Sequence, residues 1–478
     1  MKKIYLYTFI SLLLTGGFGC SKLEDFGDTN RNPNATTQAN VGALLANSLS
    51  QLGEYAFDVK GGCYAQYFSE TQSPSASIYA LQQLDFYEDY MGALRDLQSI
   101  ITENKSNNQN NVAIIVQQYV FWIITDRWGD VPYSQALKGI AVTSPPYDKQ
   151  EDIYKGMINA LTKAVSSFDN STITGDIIYN GNVASWKRLA NAMRMLMSLQ
   201  LSKRYPGASE YAATQFKLAL NDPNGYISTN EQNFKLTAAP GFKSKYFAIY
   251  DSHLDFAESK TMTDLLVNTL GNDLRQNAFG GASEESGSTA SSDLGVPYGV
   301  SSFDAITFTN ENLTWARVLR GDLRTISSPV YIVTAAQVTL ARAEAANLGW
   351  TSENLADTYQ EGIILSHEQW GVGMPSSAYL SQADVMLDAV GSAVNTKNIA
   401  LQRYIASYPD GLQGWNIWRK TGFPILIPAP AAANTSGQIP RRHTYTLLEY
   451  RNNKANVNAA VARLAGGDTQ DARVWWDQ

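Results

Sequence analysis

Two stretches of this chain mix aromatic rings with amide and charged side chains and show no sustained period. The first holds Tyr64, Gln66, Tyr67 and Tyr79; the second holds Tyr298, Phe303, Asn310, Asn312, Trp315 and Arg317. A flat ring can lie against the apolar CH face of a neutral sugar while amides and a guanidinium meet its hydroxyls, so this mixture suits holding a ligand rather than breaking a bond. Helical faces bury their aromatics, whereas aperiodic segments can leave them exposed. These ten residues are therefore the candidate ligand-binding set. One stacked ring contributes on the order of 1 kcal/mol from buried apolar area, so a usable site needs two or three. The plainer use of Trp315 and Tyr67 is to pin their loops to the rest of the chain.

Bond-making chemistry is poorly supplied. Only His253, His367 and His443 are present, far apart in sequence. His367-Glu368-Gln369-Trp370-Gly371 begins like a zinc-protease helix, but Gly371 stands where the second histidine is needed, and no cysteine pair has metal-ligand spacing. No metal or other cofactor is expected. Neither a Gly-x-Ser-x-Gly elbow nor a phosphate-binding glycine loop ending in Lys-Ser or Lys-Thr occurs. A glycoside hydrolase stays open as an alternative, because its two carboxylates can come from anywhere. Glu284-Glu285 sits in a Gly and Ser tract and reads as solvated.

The 478 residues carry 44% hydrophobic and 17% charged side chains, with 26 Tyr, 17 Phe and 10 Trp, which supplies ample core material. The net charge of -7 excludes the basic footprint of a nucleic-acid binder. Of the two cysteines, Cys20 follows a leader with Lys2 and Lys3 and an apolar run from Ile4 to Leu14, which is too short to span a membrane and reads as a signal peptide over residues 1–19. Residues 20–40, polar and aperiodic, read as a tether.

Most of the chain beyond residue 40 has helical spacing. Val112, Ile115, Tyr119, Trp122 and Ile123 share a face, and Ile114, Val116, Val120, Phe121 and Ile124 widen it almost to a full circle, which predicts a helix buried on most sides. Gly129 and Pro132 end it and make Trp128 to Tyr133 an ordered exit loop. Further helices are expected over 41–55, 84–101, 152–168, 183–205, 208–220, 330–348 and 355–370, with a loop over 61–81. The fold class is thus mostly α, with four stacked helical hairpins of tetratricopeptide type near 41–101, 112–168, 183–220 and 330–370. An irregular insertion spans about 241–325, and the C-terminal region is rich in Pro and Trp and broken into short elements. Residues 41–478 form one domain in this reading.

Several strings resemble the SusD and RagB family of outer-membrane lipoproteins. They are Arg127-Trp128-Gly129-Asp130-Val131-Pro132-Tyr133, Leu340-Ala341-Arg342-Ala343-Glu344-Ala345, Asp410-Gly411-Leu412-Gln413-Gly414-Trp415, Trp418-Arg419-Lys420-Thr421-Gly422, Ile439-Pro440-Arg441-Arg442 and Ala472-Arg473-Val474-Trp475-Trp476-Asp477, in the family's order. Gly17-Phe18-Gly19-Cys20 resembles a lipobox, which would make Cys20 the lipidated first residue. Glu24 and Asp25 resemble the signal that sorts such lipoproteins to the cell surface. The resemblance implies a lipid-anchored protein outside the outer membrane that captures oligosaccharides and delivers them to a SusC-like TonB-dependent transporter, without enzymatic activity. A peptide-capturing relative is the alternative it leaves open. The two aperiodic stretches correspond to regions that carry ligand in the family, though no single residue is matched by a motif.

Overall fold

The computed structural model describes residues 40–80, 84–237 and 243–478. The expected signal peptide, Cys20 and the expected tether up to residue 39 lie outside the described residues. The longer helices, in chain order, are α1 Val41–Ser50, α2 Arg95–Glu103, α3 Asn107–Trp128, α4 Gln150–Ser167, α5 Val183–Gln200, α6 Tyr211–Leu220, α7 Ser302–Glu311, α8 Ala335–Asn347, α9 Leu355–Trp370, α10 Ala393–Ser407 and α11 Gly411–Thr421. None of the described helices is long and apolar enough to cross a membrane.

The sequence predicts α3 well. Ser106 caps it by accepting from the Gln109 amide, and the helix is buried around most of its circumference. Gly129, at φ +87, ends it. Its last turn is tied down from the far end of the chain: Trp128 Nε1 donates to Thr444 O at 3.2 Å, and Asp126 accepts from Trp476 Nε1 at 2.9 Å and Asn416 Nδ2 at 2.7 Å.

The four expected hairpins are present, as α1 with α2, α3 with α4, α5 with α6 and α8 with α9. Contacts of α2 with α3, α4 with α5 and α5 with α8 join them into one stack. Close approach in the last pair depends on Gly362, where a Cβ would stand 2.6 Å from the Leu340 side chain. Two helix boundaries differ from expectation. Val330–Val333 forms a strand, and α8 starts only at the Thr334–Gln337 capping box. The helix expected over 84–101 is interrupted by a π-helical stretch, Tyr90–Leu94, in which Gly92 takes non-helical angles.

Where the sequence suggests short C-terminal elements broken by proline, the structure forms a fifth helix pair, α10 and α11, with α10 against α8. Pro424, Pro428, Pro430 and Pro440 all lie beyond Thr421, and Pro409 falls between the two helices, so none interrupts either one. Glu344 of α8 fixes this pair, accepting from Lys420 Nζ of α11 at 2.5 Å and from Arg403 of α10.

The strands are short and antiparallel; the first pair staples the insertion to the helical stack, the second closes its base and the third lies inside it. β1 Phe68–Glu70 pairs with β3 Phe256–Glu258, β2 Phe234–Leu236 with β6 Val330–Val333, and β4 Gly280–Gly281 with β5 Arg317–Val318. Buried apolar residues form one large core through the helices, plus a small satellite of Ala257, Val296 and Trp315 inside the insertion.

Candidate functional site

The ten candidate residues fall into three settings. Tyr64, Tyr67 and Tyr79 are core residues, and the expected loop over 61–81 instead contains the short helix Val59–Tyr64 and strand β1. Tyr67 is 0% exposed, packs on Tyr404 and Tyr408, and donates its hydroxyl to Tyr404 O. Tyr64 packs on Trp415 and His443, and Tyr79 OH accepts from the Ala429 amide at 2.9 Å. The unexpected helices α10 and α11 supply aromatic partners to Tyr67 and Tyr64, Tyr404 and Trp415, while Tyr79 packs on Tyr64. Burial pushes all three phenols up, so they remain protonated.

Trp315 and Arg317 are buried as well. The Arg317 guanidinium lies 3.7 Å from the Trp315 ring centroid and donates to Trp315 O, Leu313 O and Glu284. Burial draws this guanidinium's pKa down, with the Glu284 carboxylate opposing. Of the two readings open for Trp315 and Tyr67, the structure takes the plainer one, in which they pin their segments.

Gln66 and Tyr298 line a cavity of about 560 Å³. One wall is the strap after α11, where Ile425 and Ile427 point outward at 76% and 77% exposure while Leu426 turns inward. Lys397 and Leu401, one helical turn apart on α10, and Thr261 and Leu265 form other sides. Several of its polar side chains are already engaged. Gln66 Nε2 donates to Ile427 O at 2.6 Å, and Gln66 Oε1 accepts from Thr261 Oγ1 at 2.9 Å. Tyr298 OH donates to Cys63 O, Lys260 pairs with Asp264 and Lys397 pairs with Asp384.

Only Phe303, Asn310 and Asn312 stand on an open surface. Phe303 and Asn310 are exposed and Asn312 half-buried, all on or just after α7, a helix missing from the sequence reading. Ser301 caps it and meets Asp304 three residues on, a Ser-x-x-Asp start signal legible in the sequence. Ala305 is its only buried residue. Phe303, Ile306 and Asn310, separated by steps of three and four, form an outward stripe with Phe303 77% exposed. Asn312 Nδ2 donates to Phe308 O at 2.8 Å, which closes the helix end. Ser302 ties α7 to Gln72 O of the first candidate stretch.

Among the described residues no cluster of three His, Cys, Asp or Glu side chains is placed to hold a metal. His443 is buried among Tyr64, Trp128 and Trp415, and His367 lies 3.6 Å from Asp273, its pKa lowered to about 4 chiefly by burial.

Against curated proteins the chain finds no match. Solved structures match over most of its length. A chitin-binding protein is 25% identical with TM-score 0.75, covering 92% of this chain and 100% of its own. A SusD homolog from Bacteroides uniformis is 23% identical with TM-score 0.78, covering 92% of this chain and 99% of its own. A chitin-binding SusD homolog from Flavobacterium johnsoniae is 22% identical with TM-score 0.78 and the same coverage. Residues 33–446 match the SusD-like family model described as starch-binding and associating with the outer membrane, and the chain belongs to that family.

Proposed function

We propose that this protein is a cell-surface lipoprotein, anchored through Cys20, that captures oligosaccharides and passes them to a SusC-like TonB-dependent transporter. Its family is described as starch-binding and outer-membrane-associated, and two structural relatives are chitin-binding. The observation that carries the reading is the outward stripe of α7, which offers the Phe303 ring and, two turns further along, the Asn310 amide. A ring and an amide on one face suit the apolar and the polar side of a sugar's chemistry. A glycan array probed with residues 21–478 tests it, and binding to no glycan defeats it. Release of reducing ends from polysaccharides would favour a hydrolase instead. For the anchor, Cys20→Ala should move the protein from the membrane fraction to the soluble one, and retention that resists salt would refute lipidation.

A peptide-capture reading has one observation of its own. The cavity beside Gln66 is walled by Ile425, Ile427 and prolines, and its Gln66 amide and Tyr298 hydroxyl already have protein partners, so it offers less to a ring of hydroxyls than to apolar side chains. A peptide array run beside the glycan array separates the two.

A further inference from the structure

Glu258 occupies an unusual position relative to α7. Its backbone holds both ends of the projecting segment 297–315: Val296 N donates to Glu258 O at 3.1 Å, and Glu258 N donates to Ala316 O at 2.8 Å. On its other side Glu258 pairs with Phe68 in the β1–β3 ladder. One residue thus joins the segment bearing Phe303 and Asn310 to the strand that follows Gln66 and Tyr67.

The side chain of Glu258 is completely buried, and among the described residues no cation pairs with it. Oε2 accepts from Gln276 Nε2 at 2.7 Å, while Gln276 Nε2 also reaches Ser292 O at 2.9 Å. Oε1 of Glu258 and Oε1 of Gln276 are both left without a partner. Both atoms are acceptors if the acid is ionised, and only a proton on Glu258 would supply a donor between the two side chains. The titratable neighbours are Asp293, whose charge opposes ionisation of Glu258, together with Tyr250 and Tyr408. Arg317 and Arg324 face Tyr250 but are engaged elsewhere, Arg317 by Glu284 and Arg324 by backbone carbonyls.

We propose that Glu258 is held as the neutral carboxylic acid, closing a cyclic pair with the Gln276 amide, and that this pair is the positioning device for segment 297–315. Burial pushes its carboxyl well above the usual carboxylate range, in agreement with that state. The folded form therefore binds the proton more tightly than the unfolded chain does. The stabilisation is fully present below the ordinary glutamate range and is lost as pH rises through the folded value. Ionisation would leave a carboxylate buried with no cation beside it, and the segment fastened to it should loosen.

The effect on ligand rests on the reading that α7 contacts it, so the tests separate the two. Infrared difference spectra of the full chain against Glu258→Gln should show a protonated-carboxyl band at neutral pH that the variant lacks; absence of that band overturns the proposal. Hydrogen exchange of residues 297–316, corrected for intrinsic rates, should quicken several-fold from mildly acidic to alkaline pH in the natural chain and stay flat in Glu258→Gln. Equal behaviour of the two chains overturns the positioning role. Binding to malto- and chito-oligosaccharides should weaken several-fold over the same range. Binding that ignores pH while exchange responds would remove α7 from the ligand site and leave the Glu258 device intact.

Discussion

The helical stack and the insertion between β2 and β6 solve the same problem by opposite means. The stack is built from capped helices whose apolar faces meet over long lengths, and Glu344 with Lys420 and Arg403 forms a buried ionic cluster across three of them. The insertion has strands of two to four residues and relies on separate side-chain fastenings, such as Arg324 donating to Leu319 O and Glu284 O, and Arg275, paired with Asp273, reaching Ser366 and Gln402. Damage should therefore spread through the stack and stay local in the insertion.

The harshest break of that contrast lies in the stack. Glu344→Ala strands Lys420 and Arg403 as buried cations, which should cost roughly 3–5 kcal/mol. Denaturant unfolding measures it, and a loss under about 1 kcal/mol would show those cations relaxing to water. Burial alone would raise the Glu344 carboxyl, but Lys420 and Arg403 outweigh it and hold it below the usual range. Its contribution is then present above the ordinary glutamate range and lost as pH falls through the lowered value. Acid unfolding midpoints of the natural chain and the variant should converge at low pH.

Next come two buried rings that differ in surroundings. Tyr67 is packed against the main core by Tyr404 and Tyr408, whereas Trp315 belongs to the satellite with Ala257 and Val296. Tyr67→Ala should cost about 3–5 kcal/mol and lower the global melting temperature. Trp315→Ala should fall at or below the lower end of that range, with faster exchange confined to 250–320. If both variants melt like the natural chain, neither ring is pinned as described.

That pair also shows what the sequence could and could not reveal. Helix α3 and the four hairpins were legible because one element's own spacing encodes the face it buries. Tyr64, Tyr67 and Tyr79 have no such period, and the first two are packed by Trp415 of α11 and Tyr404 of α10, more than 300 residues downstream, with Tyr79 against Tyr64 and the Ala429 amide. Lack of period could not distinguish a ring left in water from one covered by a distant helix. The strings that carried the family resemblance prove to be fastenings: Trp128 to Thr444, Lys420 to Glu344, Arg441 to Asp477. They identify the scaffold and are silent on ligand. For α7 the Ser301-x-x-Asp304 start was present, but the exposed stripe gives a helix no apolar face to be read.

The smallest expected effect on stability decides most about function. Phe303 projects from α7 at 77% exposure, on a helix whose only buried residue is Ala305, so removing its ring opens no cavity. Phe303→Ala should change unfolding free energy by less than about 0.5 kcal/mol. If the ring stacks on a sugar, covering its apolar face on binding is worth on the order of 1 kcal/mol, and calorimetry should show affinity falling several-fold. Asn310→Ala, on the same stripe, should weaken binding by a similar or smaller factor through loss of one amide contact. The two losses should not simply add, because both side chains meet one ligand. Natural affinity in both variants would exclude the stripe and leave the cavity beside Gln66 as the place to look, where Ile427→Ala is the corresponding probe.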